Sequence, residues 1–275
     1  MKNNRTTGIN FTENIFTLVN LFKNISLDKY ANSISILQNL YEFGDIVIDN
    51  DMKKKIVSLP NFLYTAKYLY QMIEKLSWKE EEEFARSIIT DKRDPWLQLK
   101  KFKSYNLYLE QLQKEHKFFD KEQKIVFLGS GPLPISQILF AIEYGIDSIG
   151  IECVPEYVST SKKVIEVFGL TKNISIIQGN HFSLPLKEEH KNLIIAYQAV
   201  PQNEIFFHLS KALSQNTKIL HRINTKDFND CYTLRDLISY YSRDVNNLSL
   251  FPFTEFNNSY LKIYTSSSFI LYIKI

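Results

Sequence analysis

Cysteine is scarce in this sequence, which has only Cys153 and Cys231 among its 275 residues. Two cysteines cannot build a disulfide framework, and their spacing fits no metal site. We therefore expect two reduced thiols and a cytoplasmic protein. The five histidines also lack the spacing of metal ligands, so the sequence predicts no metal site.

Long apolar runs and a strong charge of one sign are missing as well. No stretch approaches 18 apolar residues, and the N-terminal MKNNRTTGINFTEN lacks the apolar core of a signal peptide. The 33 basic and 30 acidic residues are interspersed and leave a net charge of +3. A nucleic-acid-binding protein usually has a one-sided basic stripe. We expect a soluble protein that binds neither membranes nor nucleic acid.

Apolar spacing separates the chain into two parts. Up to residue 119, apolar residues recur three and four positions apart, as on the core-facing stripe of a helix. This spacing predicts helices at 10–24, 31–43, 60–76, 77–90 with Ser77 as N-cap, and 95–118 with Asp94 as N-cap. We expect residues 1–119 to form an all-helical domain.

From residue 120 onward, strands and helices alternate. Strands are predicted near 124–128, 147–152, 173–177, 192–197, 217–223, 259–265 and 268–274, and helices near 133–144, 155–168 and 202–214. The last two strands form a hairpin at Ser266-Ser267, so the sheet ends antiparallel, whereas NAD-binding sheets usually stay parallel. The predicted fold class is α/β. A Rossmann-like sheet of the class I methyltransferase type occupies residues 120–275, after the N-terminal all-helical domain.

The segment KIVFLGSGPLPIS, residues 124–136, predicts a nucleotide-type cofactor site. A buried strand breaks at two glycines, which allow a tight turn and a close approach of the backbone to a ligand, and a helix follows. The predicted cofactor-binding residues of this loop are Gly129, Ser130, Gly131 and Pro132.

Glu152 lies twenty-one residues after Gly131, at the end of the second predicted strand, where a carboxylate can accept hydrogen bonds from both ribose hydroxyls. These signals fit either a dinucleotide or S-adenosylmethionine. Pro132 and Pro134 remove backbone N–H donors that a pyrophosphate would need, so we favour S-adenosylmethionine. Asn180, after the third strand, is expected to contact the adenine, and Tyr197, ending the fourth, to border the reacting centre.

The GSGPLP motif resembles the signature of the nicotianamine synthase family, including its bacterial and archaeal relatives that make opine-type metallophores. Four further segments are similar to this family: DPWLQLKKFKSYNLYLEQLQKEH (94–116), GIECVPE (150–156), IIAYQAVPQ (194–202) and ILHRINT (219–225). The resemblance covers roughly residues 77–226. It implies an enzyme that transfers the 3-amino-3-carboxypropyl (aminobutyrate) group of S-adenosylmethionine to an amine and releases 5′-methylthioadenosine. The acceptor, which is an amino acid such as histidine, another amine or a second aminobutyrate unit, stays open, as does the number of transfers.

The resemblance also implies a catalytic glutamate in KEEEEFARSII (79–89), next to a tyrosine. Four consecutive glutamates point about 100° apart on a helix. Glu82 shares its face with Ala85 and Ile89, so we predict Glu82 as the base, with Glu83 as the alternate. For any one of these glutamates, a solvated helix face is the competing interpretation.

Tyr105 and Tyr108 lie on one stripe of the predicted helix 95–118 together with Phe102, and the resemblance gives both tyrosines a catalytic role. Packing of the bundle is an equally good explanation of two amphipathic side chains. Arg222, at the end of the fifth strand, is predicted to clamp a carboxylate of the acceptor or of the donor's amino-acid tail. A surface salt bridge is the alternative for Arg222.

Two other functions remain open from the sequence. An ordinary S-adenosylmethionine-dependent methyltransferase acting on a small molecule would share the predicted sheet, but the helical domain would then need a separate reason. A non-catalytic module would bind the cofactor without turnover.

Overall fold

The computed structural model describes residues 47–58, 62–180, 190–197, 199, 202–223, 231–242, 260–265 and 269–274. The helices predicted at 10–24 and 31–43 and the hairpin turn at Ser266-Ser267 lie outside these ranges. Among the helices in these ranges, none is both long and apolar enough to cross a membrane.

The helices follow the chain in this order: α1 Asn50–Val57, α2 Phe62–Thr90, α3 Pro95–Leu99, α4 Tyr105–Glu115, a 3-10 turn His116–Phe118, α5 Ile135–Tyr144, α6 Pro155–Val167, α7 Gln202–Ala212 and α8 Leu234–Ser242. The strands are β1 Ile125–Leu128, β2 Ser148–Glu152, β3 Ile174–Gln178, β4 Asn192–Ile195, β5 Lys218–Arg222, β6 Tyr260–Thr265 and β7 Phe269–Lys274. The seven strands and the three helices between them match the prediction to within a few residues. The sequence pattern did not indicate α1 or α8.

Two helix boundaries differ from the prediction. Ser77 caps nothing, because helix α2 continues through it in a stretch without glycine or proline. The predicted helix 95–118 is broken instead. Asp94 does cap α3, since its side chain accepts a hydrogen bond from the N–H of Trp96 at 2.9 Å, but α3 ends at Leu99. The tight turn that follows buries Phe102 in the core before α4 begins at Tyr105.

The sheet has the strand order β3-β2-β1-β4-β5-β7-β6. Strands β1 to β5 are parallel, and β7 pairs antiparallel with both β5 and β6. The predicted antiparallel end is therefore confirmed. From β1 the chain first adds β2 and β3 on one side and then β4 and β5 on the other, so the strand order reverses between β1 and β4. Ligands of such sheets bind at the carboxyl ends of the strands on either side of that point.

Apolar side chains cover both faces of the sheet. One face packs helices α5 and α6 together with residues from α2 to α4, such as Ala85, Leu99 and Leu112, around Phe127 and Phe140. On the other face, α7 packs on β1 and β4. Buried on both sides, β1 reads as an unbroken apolar run because none of its positions reaches water.

The chain divides into two compact units, Met1–Ser77 with Lys226–Ser249 and Trp78–Thr225 with Leu250–Ile275. This division differs from the predicted domains 1–119 and 120–275. The physical reason is the shared core: residues of α2, α3 and α4 bury their side chains in the same cluster as the sheet. In the other unit, Val47 forms an isolated antiparallel bridge with Thr233, just before α8.

Candidate active site

The loop between β1 and α5 contains the two glycines that the motif predicted to turn. Gly129 has φ +84° and Gly131 has φ +66°, a backbone conformation that L-residues with side chains rarely adopt. A Cβ on Gly129 would lie 3.1 Å from the Cβ of Ala196, and a Cβ on Gly131 would lie 3.4 Å from Oε2 of Glu81. The loop therefore keeps its backbone open toward a carboxylate of helix α2.

Ser130 and Pro132 complete the loop. The Ser130 hydroxyl is buried and has no hydrogen-bond partner among the described residues. It points at β2, where a Cβ on Gly150 would lie 2.0 Å from the Ser130 Oγ. Pro132 is buried beneath the start of α5. Strand β2 therefore needs a glycine at position 150 to leave room for the Ser130 side chain. A glycine inside a strand is the sequence signal that could have indicated this close approach.

Glu152 ends strand β2, as predicted, and its carboxylate is buried against the glycine loop. Its Oε2 accepts the N–H of Gly131 at 2.9 Å, and its Oε1 accepts the N–H of Val154 at 3.0 Å. The Cys153 thiol also donates to Oε1, at 3.6 Å, whereas Oε2 can accept a second hydrogen bond. Glu152 therefore shapes the loop, and the capacity that remains for ribose hydroxyls lies mainly on Oε2.

Asn180 and Tyr197 both follow a parallel strand at the same edge of the sheet. Asn180 is exposed, and the preceding Gly179 donates its N–H to the Glu152 carbonyl at 3.0 Å. Tyr197 is partly buried, next to Ala196, whose N–H is bonded to the Leu128 carbonyl at 3.0 Å. Both residues lie at the carboxyl ends of the strands, and their contacts with a ligand stay predictions.

The consecutive glutamates of α2, Glu80 to Glu83, differ in their surroundings. Glu81 shares a helix face with the buried Ala85 and Ile88, and its carboxylate reaches Gly131. Glu82, the predicted base, instead accepts hydrogen bonds from Arg86 Nη2 at 2.6 Å and Nε at 3.1 Å, one turn along the helix. The structure corrects the face argument: Ile88, and not Ile89, is the fully buried residue, and the inward position is therefore Glu81.

Tyr108 lies beside Glu81 and donates its phenol hydrogen to Glu81 Oε1 at 3.3 Å. The negative charge of Glu81, followed by burial, raises the pKa of Tyr108 well above its ordinary value. Tyr105 does not join this pair. Burial, followed by the charge of Glu143 on α5, raises the pKa of Tyr105. The two predicted tyrosines therefore interact with different carboxylates, Tyr108 with that of Glu81 and Tyr105 with that of Glu143.

Arg222 is buried, which excludes the surface salt bridge. Its Nε and Nη2 donate to the two carboxylate oxygens of Glu115 at 2.9 and 2.8 Å, and its Nη1 donates to Ser136 Oγ at 2.9 Å. All three guanidinium nitrogens therefore bond to side chains of this protein. These bonds use three of the five N–H donors of the guanidinium, so Arg222 forms an internal ion pair, and the predicted clamp on a ligand carboxylate stays a prediction.

Tyr157, in the first turns of α6, is a site residue that sequence reasoning missed. Burial is the main cause that raises the pKa of its phenol, and the carboxylates of Glu82, Glu152 and Glu81 raise it further. Glu156 adds an effect of the same sign, so four carboxylates act electrostatically on this phenol, and two of them, Glu152 and Glu81, lie at Gly131. Such a negatively charged surface favours a cation, such as a sulfonium or an ammonium group. With 16 tyrosines in the chain, no local signal singled out Tyr157.

The strand order, the antiparallel end and the glycine loop define an α/β protein with a sheet of the class I methyltransferase type. The sequence model of the nicotianamine synthase protein family matches residues 15–228, and the chain belongs to that family. Membership confirms the resemblance and the predicted enzyme class, aminocarboxypropyl transfer with S-adenosylmethionine as donor.

Solved structures of the nicotianamine synthase MtNAS share the fold. A complex of MtNAS with MTA and tNA is 21% identical with a TM-score of 0.67, over 96% of this chain and 98% of that chain. A glutamate-to-glutamine variant of MtNAS with S-adenosylmethionine is also 21% identical, with a TM-score of 0.64 over the same shares. A comparison with curated proteins found no match.

Proposed function

We propose that this protein transfers the aminocarboxypropyl group of S-adenosylmethionine to an amine acceptor in the biosynthesis of a nicotianamine-like metallophore. The acceptor is an amino acid or a related amine, and the second product is 5′-methylthioadenosine. The observation that carries the proposal is the Tyr108–Glu81 pair, with a 3.3 Å hydrogen bond, beside the positive-φ Gly131. Methyl transfer to an amine would need a base as well, and membership of the nicotianamine synthase family favours the aminocarboxypropyl transfer.

The residues of the glycine loop fit a nucleoside donor. Gly129 and Gly131 lack the Cβ atoms that would narrow the loop. Glu152 would accept the ribose hydroxyls, and Asn180 would contact the adenine. In this arrangement the sulfonium lies near the carboxylates that surround Tyr157, which offset its positive charge.

The chemistry needs a base but no acid. The acceptor nitrogen attacks the Cγ of the donor's amino-acid arm, the Cγ–S bond breaks, and its electron pair leaves with sulfur as a neutral thioether. The nitrogen becomes cationic as the new C–N bond forms and must lose one proton. We assign Glu81, in place of Glu82, as the acceptor of that proton, because its carboxylate faces the loop while that of Glu82 faces Arg86.

Tyr108 remains protonated during this transfer, because the neighbouring Glu81 charge raises its pKa. A protonated phenol can donate to the Glu81 carboxylate and hold it in one orientation toward the attacking amine. Tyr108 therefore orients the base. Tyr105 has no such partner among the described contacts, and its predicted catalytic role is not part of the proposal.

Identification of the nucleoside product tests the proposed reaction. The purified protein is incubated with S-adenosylmethionine and an equimolar mixture of the twenty protein amino acids, and products are followed by mass spectrometry. We expect 5′-methylthioadenosine together with an amine that has gained an aminobutyrate unit. Formation of S-adenosylhomocysteine would instead identify a methyltransferase, and binding of the donor without any product would identify a binding module.

The metallophore role is tested separately on the purified amine product. Titration with Ni²⁺ or Cu²⁺ is expected to give a stoichiometric metal adduct in the mass spectrum, because added amine and carboxylate groups provide metal ligands. A product that binds neither ion would leave the transfer reaction intact and remove the metallophore role. The cytoplasmic location stays a prediction from the cysteine content.

A further inference from the structure

A buried ion pair lies on the same helix as Tyr108. The Glu115 side chain, fully buried, receives two hydrogen bonds from Arg222 and a third from Gln111 Nε2 at 2.7 Å. A carboxylate with three donors is well satisfied inside a protein. No described hydrogen bond joins this pair to the glycine loop or to the Glu81 carboxylate, but both charges act electrostatically on Tyr108.

Helix α4 connects Glu115 to Tyr108. The two residues are seven positions apart, which is about two turns and roughly 10 Å along the axis, so they share one face of the helix. Leu112, between them, is fully buried on this face. A hydrogen-bonded anchor at Glu115 fixes the rotation of α4 about its axis. Because neighbouring positions differ by about 100°, that rotation decides whether the Tyr108 phenol meets Glu81.

Arg222 also reaches the other side of the site. Its Nη1 donates to Ser136 Oγ at 2.9 Å, and Ser136 is the second residue of α5, directly after the glycine loop. A single guanidinium on β5 therefore ties α4, which carries Tyr108, to α5, which begins at the loop. The planar fork of arginine allows both connections at once, whereas a lysine ammonium has no such fixed geometry.

We propose that Glu115 and Arg222 are positioning residues for the transfer step. They hold Tyr108 in contact with Glu81, and they fix the position of the glycine loop relative to Tyr108. The proposal rests on the function proposed above. Buried ion pairs add little net stability compared with apolar side chains of similar size. The contribution of the pair is geometric: it fixes the distance between Tyr108, which orients the base, and the loop that receives the donor.

Three substitutions and one control test the proposal. Glu115→Gln removes the carboxylate charge, Arg222→Lys keeps the charge but removes the fork, and Ser136→Ala removes only the link to α5. Glu110→Gln, an exposed glutamate on the same helix, is the control. Calorimetric titration with S-adenosylmethionine gives the number of binding-competent sites and the Kd. Release of 5′-methylthioadenosine with the amino-acid mixture then gives kcat per competent site.

We expect kcat per competent site to fall about 10- to 100-fold in Glu115→Gln and Arg222→Lys, with Kd within threefold, because a small misplacement of catalytic groups has effects of this size. A purely structural role would lower the number of competent sites and leave kcat per site within twofold, which would overturn the proposal. An unchanged kcat with a tenfold weaker Kd would also overturn it, because Arg222 would then bind the donor's tail.

Ser136→Ala still tests the proposal if Glu115→Gln and Arg222→Lys do not fold. It leaves the Glu115–Arg222 pair in place, and we expect kcat per site to fall several-fold while the control stays at the wild-type value. An unchanged kcat in Ser136→Ala would overturn the link to α5 and with it the proposal. Failure of the proposed function is recognised independently, since the wild-type protein would then release no 5′-methylthioadenosine.

Discussion

Replacement of Glu81 by glutamine is the sharpest test of the site. The substitution keeps the shape of the side chain and the hydrogen bond from Tyr108, at 3.3 Å in the structure, but removes the proton acceptor. General-base catalysis contributes about 10²- to 10⁴-fold to a rate, which corresponds to about 3–5 kcal/mol of barrier at 1.36 kcal/mol per tenfold change. We expect kcat to fall within that range.

Glu82→Gln is the matched control, one residue further along the same helix. Its carboxylate pairs with Arg86 one turn away, and the Arg86 side chain is largely exposed. An i, i+4 pair of this kind contributes about 0.3–0.5 kcal/mol, so we expect the stability of Glu82→Gln to stay close to wild type. Because Glu82 is also one of the carboxylates that act on Tyr157, we expect its turnover to fall, but far less than that of Glu81→Gln, since Glu82 is not the proton acceptor.

Three measurements decide between the glutamates: the rate of 5′-methylthioadenosine release, the Kd for S-adenosylmethionine and the thermal midpoint of each variant. A far larger loss of turnover in Glu81→Gln than in Glu82→Gln, with an unchanged Kd, would support the structural assignment. The reverse result, a large loss in Glu82→Gln and none in Glu81→Gln, would refute the reasoning from the Tyr108 contact. Equal losses in both variants would show that the charge of the acidic surface, rather than one base, controls the rate.

Three further predictions concern stability and donor binding. Burial lowers the pKa of His221 from 6.5 to about 4, so the unfolded chain binds this proton more readily and the protein loses roughly 3 kcal/mol of stability between pH 6.5 and 4. Urea unfolding at several pH values checks this, and His221→Leu should remove that part of the slope. Glu152→Ala should weaken S-adenosylmethionine binding in calorimetry by at least tenfold, and an unchanged Kd would remove the ribose assignment. Gly129→Ala should destabilise the fold more than Gly145→Ala in thermal unfolding, since both have positive φ but only the Gly129 Cβ would meet a neighbour.

The sequence was sufficient for the α/β unit and its glycine loop. Strand β1, the loop and Glu152 are encoded within 28 consecutive residues, 125–152, and the apolar run, the glycines and the acidic strand end each have a local physical meaning. Parallel strands then bring these features to one edge of the sheet, because their carboxyl ends meet there. Local patterns also gave the antiparallel end of the sheet, through two alternating segments close together in the chain.

Tertiary packing alone decided which side chains meet. Glu80 to Glu83 are equivalent in sequence, and only the contact of α2 with α4 and the glycine loop directs Glu81 inward. Arg222 finds its partner Glu115 across 107 positions of the chain. A strand-end arginine predicts a ligand clamp from local context, and the ion pair with the buried carboxylate of α4 is visible only in the tertiary structure. Side-chain direction and long-range pairing depend on how helices pack on the sheet, and no local pattern carries that information.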